Sequence, residues 1–358
     1  MQYPQKSHVT RTLPKKLAVC ALANGLLNAE EFEDKLSQEE SSDLNRLLIS
    51  PDPPNVIKFY SSFKDPKSLI DWMKSRPSGR ATIQPVDGNR DIVVVIPTID
   101  FSGKLARSCR NIFKGLQIVF VESGIGDPYF NYSRNCNLGL GHALGYNPKW
   151  IVLSNDDVIQ VDDISLLVNG LSKINNTLSD TVFTQPPGRL HSYSKSIARS
   201  STARNLLYAL AGGYWRRQIQ IEKKFHADFI SADERARFGF LYKVMFRFLS
   251  GGAFSIFSSD FVRRSRGKLF DEIYINGGED VDLFWQLARS KSHYSFVNFE
   301  IGSMTGASLG PWNKTRRLRN IANEAYLNHK LRNSMLPTMF NAALCNVSQR
   351  VEDAQGDC

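Results

Sequence analysis

The run Ile92-Val93-Val94-Val95-Ile96, closed by Pro97, limits the possible folds more than any other stretch of this chain. β-Branched residues lose rotamer freedom in a helix and pack well on a pleated surface. A continuous apolar run without polar alternation belongs to a strand covered on both faces. Gln117-Ile118-Val119-Phe120-Val121 and Trp150-Ile151-Val152-Leu153 repeat the pattern. Between these strands, Arg107–Phe113 and Ser133–Leu144 read as helices, with Gly145 ending the second. Strand, helix, strand, helix, strand predicts an α/β fold with a parallel sheet and right-handed crossovers. Ligands of such sheets bind beyond the carboxyl ends of the strands. Glu122 and the pair Asp156-Asp157 fall there.

Around this core, the 358 residues divide into three parts. Residues 1–90 read as a helical N-terminal extension, with helices over Leu17–Leu27 and Glu30–Leu48, a stop at Pro51, Pro53 and Pro54, and a helical turn at Ser68–Met73. Residues 91–310 hold the α/β domain, and 311–358 form a helical C-terminal tail. No apolar run is long enough to cross a bilayer. Leu17–Leu27 follows Lys15 and Lys16 but contains Asn24 and Gly25, and reads as an ordinary helix rather than a signal peptide. The five cysteines are scattered, odd in number and without a C-x-x-C pair, which argues against a disulfide framework or a zinc ribbon and fits a reducing, cytoplasmic setting.

The net charge of +10 calls for an anionic partner. Most of the excess is local, because residues 189–247 carry 12 Lys and Arg against 4 Asp and Glu, interleaved with ten aromatics. This stretch reads as a basic, helical insert. Arg216, Arg217, Lys223 and Lys224 beside Tyr214, Trp215 and Phe225 suit a solvated face, an anionic membrane surface or a lipid-phosphate ligand. Nucleic acid is the less favoured partner.

Two acidic motifs carry chemistry. In Asn155-Asp156-Asp157, two carboxylates at a strand end can hold Mg²⁺ or Mn²⁺, whose remaining oxygen ligands come from phosphate and water. The local alternative is a turn, for which Asn and Asp are common residues. In Gly277-Gly278-Glu279-Asp280, acids open a helix after two glycines. They either complement the helix dipole or supply a general base, with the glycines allowing close approach of a ligand.

Taken together these motifs resemble glycosyltransferase family 2, which has the GT-A fold. The resemblance spans residues 91–310 and rests on Val95-Ile96-Pro97-Thr98, Asn137-Leu138-Gly139, Asn155-Asp156-Asp157, Gly251-Gly252-Ala253-Phe254, Phe270-Asp271-Glu272 and Glu279-Asp280-Val281-Asp282-Leu283. It implies a Rossmann-like, mostly parallel sheet and an inverting, metal-dependent transfer from a nucleotide-diphosphate sugar to a glycan or lipid-linked acceptor. It would place Pro97, Thr98, Glu122, Asn155 and Asp156 around the donor, Arg134 on its diphosphate, and Asp157 on the metal. Asp280 would be the base, with Glu279 beside it, and Gly251, Gly252 and Glu279 would face the acceptor. The chain departs from the family at two positions. Glu122 stands where relatives often carry Asp, and Met304 where many carry a metal-binding His. His293 and His329 are substitutes by residue type only. A sugar nucleotidyltransferase is the rival enzyme, although Thr98–Lys104 poorly matches its glycine-rich loop. A non-catalytic binding module is the rival outside enzymes.

Overall fold

Residues 43–184, 217–221, 225–229, 253–290, 292–304 and 314–331 are described by a computed structural model. Helices α1 (43–49), α2 (Pro53–Ser61) and α3 (Pro66–Ser75) lead into strands β1 (Thr82–Val86) and β2 (Asn89–Thr98). There follow α4 (Lys104–Ile112), β3 (Leu116–Glu122), α5 (Tyr132–Leu144), β4 (Trp150–Ser154), β5 (Val158–Gln160), α6 (Ile164–Ser172) and β6 (Thr181–Phe183). β7 (Arg217–Ile221) and β8 (Phe225–Phe229) form a ribbon. The chain continues through β9 (Phe254–Ser258), α7 (Ser259–Arg264), α8 (Glu279–Ser290), β10 (Tyr294–Phe296), β11 (Ile301–Ser303) and α9 (Lys314–Leu331).

The central sheet has the order β1-β3-β2-β4-β9-β6-β10. Strands β3, β2, β4, β6 and β10 share one direction, and β1 and β9 oppose it. This is a mixed, mostly parallel α/β sheet flanked by helices, compatible with a Rossmann-like fold. Alternation along β2 sorts the core. Ile92, Val94 and Ile96 face α4 and α6, while Val93 and Val95 face α5, α7 and α8. Both faces are covered, so the run needs no polar positions.

Helix α5 lies close on the sheet because Gly139 has no side chain. A Cβ there would stand 2.3 Å from Val95 Cγ1 and 2.9 Å from Val121 Cγ2. Gly139→Ala is therefore expected to destabilise the fold by about 1–3 kcal/mol through overpacking, despite the better helix propensity of Ala. Denaturant unfolding measures this, and an unchanged midpoint would refute it.

The sequence pattern misses three features. Thr82–Val86 lies in the stretch expected to be helical, yet it joins the sheet edge antiparallel to β3. Pro85 conceals it, and proline is tolerated in edge strands. α1 ends at 49, just before Pro51, as expected of the prolines, and Pro53 and Pro54 add an unexpected start, that of α2, where at the first turn the missing N–H costs nothing. The third correction concerns the insert, expected to be helical. Its described part is the antiparallel β7–β8 ribbon, in which Gln218, Ile219, Gln220 and Ile221 alternate with the period of a strand. The rest of the insert, Leu17–Leu27 and Gly251-Gly252 lie outside the described residues.

The two ends of the described chain share a core. Leu48, Val56, Phe59, Tyr60, Leu69 and Trp72 pack with Leu318, Ile321, Ala322 and Tyr326. Tyr60 donates its hydroxyl proton to the Leu318 carbonyl at 2.7 Å and accepts from the Ala322 N–H at 3.0 Å. Among the described residues no helix is long and apolar enough to cross a membrane.

Candidate functional site

From β2 the chain moves to β3 on one side, and from β3 it crosses to β4 on the other. The carboxyl ends of β2 and β4 thus flank a topological switch point, where open α/β sheets place their ligands. The β2–β4 ladder stops at Val95–Leu153, while β2–β3 runs on to Thr98–Glu122. Pro97, which has no N–H to donate, sits where pairing with β4 has ended.

Thr98 and Asp156 face each other across this gap. Thr98 Oγ1 donates to Asp156 Oδ2 at 2.8 Å, and the two residues are 3% and 4% exposed. Burial raises the Asp156 carboxyl above its usual range, the neighbouring Asp157 charge adds to this, and the Thr98 hydrogen bond offsets only part. Asp157 is equally buried. Its carbonyl accepts from Met304 N at 2.8 Å, and Ser303 Oγ stands 3.5 Å from Asp157 Oδ1. The β5–β11 pairing thus brings position 304 beside Asp157. Glu122 accepts the Phe101 N–H at 3.0 Å, and Arg110 lies over the Phe101 ring, fastening the loop after β2.

A second acidic group approaches through Tyr132, in the first turn of α5. Its hydroxyl donates to Asn155 Oδ1 at 2.8 Å. Burial raises its phenol pKa, and Cys136, Glu279 and Asp280 push it the same way. The loop before α8 is fixed to α5 by asparagines. Asn137 Oδ1 accepts from Leu269 N and Phe270 N, both at 3.0 Å, and its Nδ2 donates to the Phe270 carbonyl at 2.8 Å and Glu272 Oε1 at 2.9 Å. Asn276 Oδ1 accepts from Tyr132 N at 2.9 Å. Gly278, at φ +89°, makes the left-handed turn into α8 that side chains disfavour.

Glu279 is 8% exposed, and its Oε2 has no hydrogen-bond partner. Burial pushes its carboxyl well above the ordinary range, and the Asp280 charge reinforces this. The Gly277 backbone and Arg316 act in the opposite sense, while Tyr132, Cys136 and Tyr274 face it from the packed elements. A raised native pKa means that stability falls as pH rises from the unfolded value toward the native one. Glu279→Gln is therefore expected to stabilise the fold at neutral pH, by on the order of a kcal/mol or more. The gain should vanish below about pH 4, where both states of the wild type are protonated. Thermal denaturation across pH tests this, and a gain independent of pH would refute it.

Neither a protein-family model nor a curated protein matches this chain.

Thr98, Asn155, Asp156 and Asp157 lie at the switch point, and Tyr132 joins Asn155 through its hydroxyl and Asn276, in the loop before Glu279 and Asp280, through its N–H. Tyr132 has no sequence signal beyond being an aromatic residue beside the expected helix start at Ser133. Arg134 is placed differently. Its guanidinium donates to the Gly79 carbonyl, and it lines a small cavity with Arg76, Ser78 and Glu272. His293 directly precedes β10, which runs parallel to β6, so it lies at the amino ends of these strands and away from the switch point. His329 is exposed on α9.

Among the described residues no cluster of three or more His, Cys, Asp or Glu side chains could by itself hold a metal. The adjacent buried carboxylates of Asp156 and Asp157 nevertheless fit a hard cation that takes its other ligands from phosphate and water. The Met304 thioether adds no hard ligand beside them. The arrangement offers carboxylates for a cation or for hydroxyl groups, and a separate acid pair suited to proton transfer.

Proposed function

We propose that this protein is an inverting GT-A glycosyltransferase, moving a sugar from a nucleotide-diphosphate sugar to a glycan or lipid-phosphate acceptor. One observation carries the reading. Tyr132 donates its hydroxyl proton to Asn155, beside the acid pair after β4, and its N–H to Asn276, in the loop that leads into the acid pair opening α8. A transfer between two bound substrates needs both functions at one sheet mouth.

Thr98 and Asp156 would bind hydroxyls of the donor ribose, with Pro97, Glu122 and Asn155 completing the nucleotide pocket. Asp157 would hold Mg²⁺ or Mn²⁺. A bound cation would offset the charge of the departing diphosphate. Asp280 would accept the proton of the acceptor hydroxyl. The acceptor oxygen bonds to the anomeric carbon as the bond from that carbon to the diphosphate oxygen breaks, and the nucleoside diphosphate leaves with that electron pair. The protonated form of Glu279 would donate a hydrogen bond to the acceptor. By resemblance, Gly251 and Gly252 line the acceptor side. Arg134 would reach the diphosphate only by releasing Gly79. The basic, aromatic insert supports a lipid-phosphate acceptor and peripheral attachment at the cytoplasmic membrane face.

Met304 beside Asp157 favours a second reading, a binding module of the same fold without turnover. The test is incubation with UDP-, GDP- and dTDP-sugars, Mg²⁺ or Mn²⁺, and glycan or lipid-phosphate acceptors, followed by mass spectrometry. Metal-dependent formation of glycosylated acceptor and nucleoside diphosphate supports transfer. Conversion requiring pyrophosphate would identify a sugar nucleotidyltransferase. Saturable binding without turnover would identify the module.

A further inference from the structure

Helix α9, the last described element, makes a set of contacts that the proposed chemistry leaves unexplained. Lys330 Nζ donates to Asp271 Oδ2 at 2.7 Å and to Asp282 Oδ2 at 2.6 Å. Asp271 precedes the glycine turn, and Asp282 sits in the first turn of α8, two residues after Asp280. Tyr326 donates to the same Asp271 oxygen at 2.8 Å. Asn323 brackets Ile275, accepting its N–H at 2.7 Å and donating to its carbonyl at 2.9 Å. At Gly277 the approach is so close that a Cβ would stand 2.5 Å from Asn320 Oδ1. Four residues of one helix thus grip the loop 271–277 and the start of α8.

We propose that α9 is a splint for the acid pair Glu279–Asp280, with Lys330 as the positioning residue that locks the loop to the first turn of α8; the functional part rests on the reading of Asp280 as the base. Asp282 is 1% exposed, and one of its oxygens, Oδ1, has no hydrogen-bond partner. A buried carboxylate in this state tolerates its charge only beside a cation. Removing the ammonium leaves Asp271 and Asp282 facing each other, with Tyr326, Tyr274 and Glu279 as the other titratable groups around them. The first turn of α8 would then loosen, and Asp280 with it.

The test uses the full chain carrying Lys330→Met, Lys330→Gln as a milder variant, and Lys330→Arg as the conservative one. Hydrogen exchange by mass spectrometry needs no substrate. Peptides covering 270–283 should exchange on the order of tenfold faster in Lys330→Met and Lys330→Gln, while 92–98 and 150–154 stay as in wild type. Exchange unchanged at 270–283, or faster across the whole chain, overturns the splint. In transfer assays kcat should fall about tenfold with the donor KM unchanged, and Lys330→Arg should restore it. The deficit should shrink at lower pH, where Asp271 or Asp282 takes up a proton, whereas simple loss of packing would be independent of pH. Faster local exchange with normal kcat overturns the positioning role. If wild type transfers no sugar, the proposed function fails, and the exchange measurements still decide whether the splint exists.

Discussion

Asp280→Asn is expected to lower turnover by roughly a hundredfold to ten-thousandfold, the usual loss when a general base is removed. The amide keeps the shape of the carboxylate and can still complement the start of α8, where Glu279 and Asp282 remain. It cannot take a proton at neutral pH. The affinity for nucleotide should change little, because Thr98, Asp156 and Asp157 belong to the loops after β2 and β4. Steady-state kinetics with separate determination of kcat and donor KM provides the check. Turnover near that of wild type would remove Asp280 from the role. The comparison with Glu279→Gln is informative because both acids stand in the same helical turn. The glutamate variant should gain stability, and the aspartate variant should lose catalysis.

Asp157→Ala should abolish metal-dependent binding of nucleoside diphosphates. Without a cation, a diphosphate at the switch point meets the remaining carboxylate of Asp156 and is repelled. The fold should survive, because the substitution keeps the hydrogen bond from the Met304 N–H to the Asp157 carbonyl. Thermal shift reads the difference. A ligand at a hundred times its dissociation constant stabilises the native state by about 2.7 kcal/mol. Wild type should show such a shift with UDP, GDP or dTDP only when Mg²⁺ or Mn²⁺ is present, and the variant should show none. An equal metal-dependent shift in both proteins would refute Asp157 as the cation ligand.

The sequence by itself determined the central strands and the placing of acids at their ends. The apolar runs at Ile92–Ile96, Gln117–Val121 and Trp150–Leu153 are legible because both faces of each strand are covered, so burial is written into consecutive residues. The acids Asp156 and Asp157 follow directly from where β4 stops. Helix α5 is legible for the same local reason.

Tertiary structure decided the rest. Glu279 and Asp280 look like ordinary capping acids in the sequence, yet the fold buries Glu279, and burial together with the Asp280 charge raises its carboxyl. Arg134 has the right charge for a phosphate, but its place on α5 turns it toward Gly79. Lys330 meets Asp271 and Asp282 across 59 and 48 residues of chain, a separation at which no periodicity or spacing rule applies. The strand β1 and the β7–β8 ribbon likewise depend on their pairing partners rather than on propensity. Local patterns record how much of an element is buried, whereas the partners it is buried against are chosen by long-range packing, and those partners set the charge and position of each acid at the site.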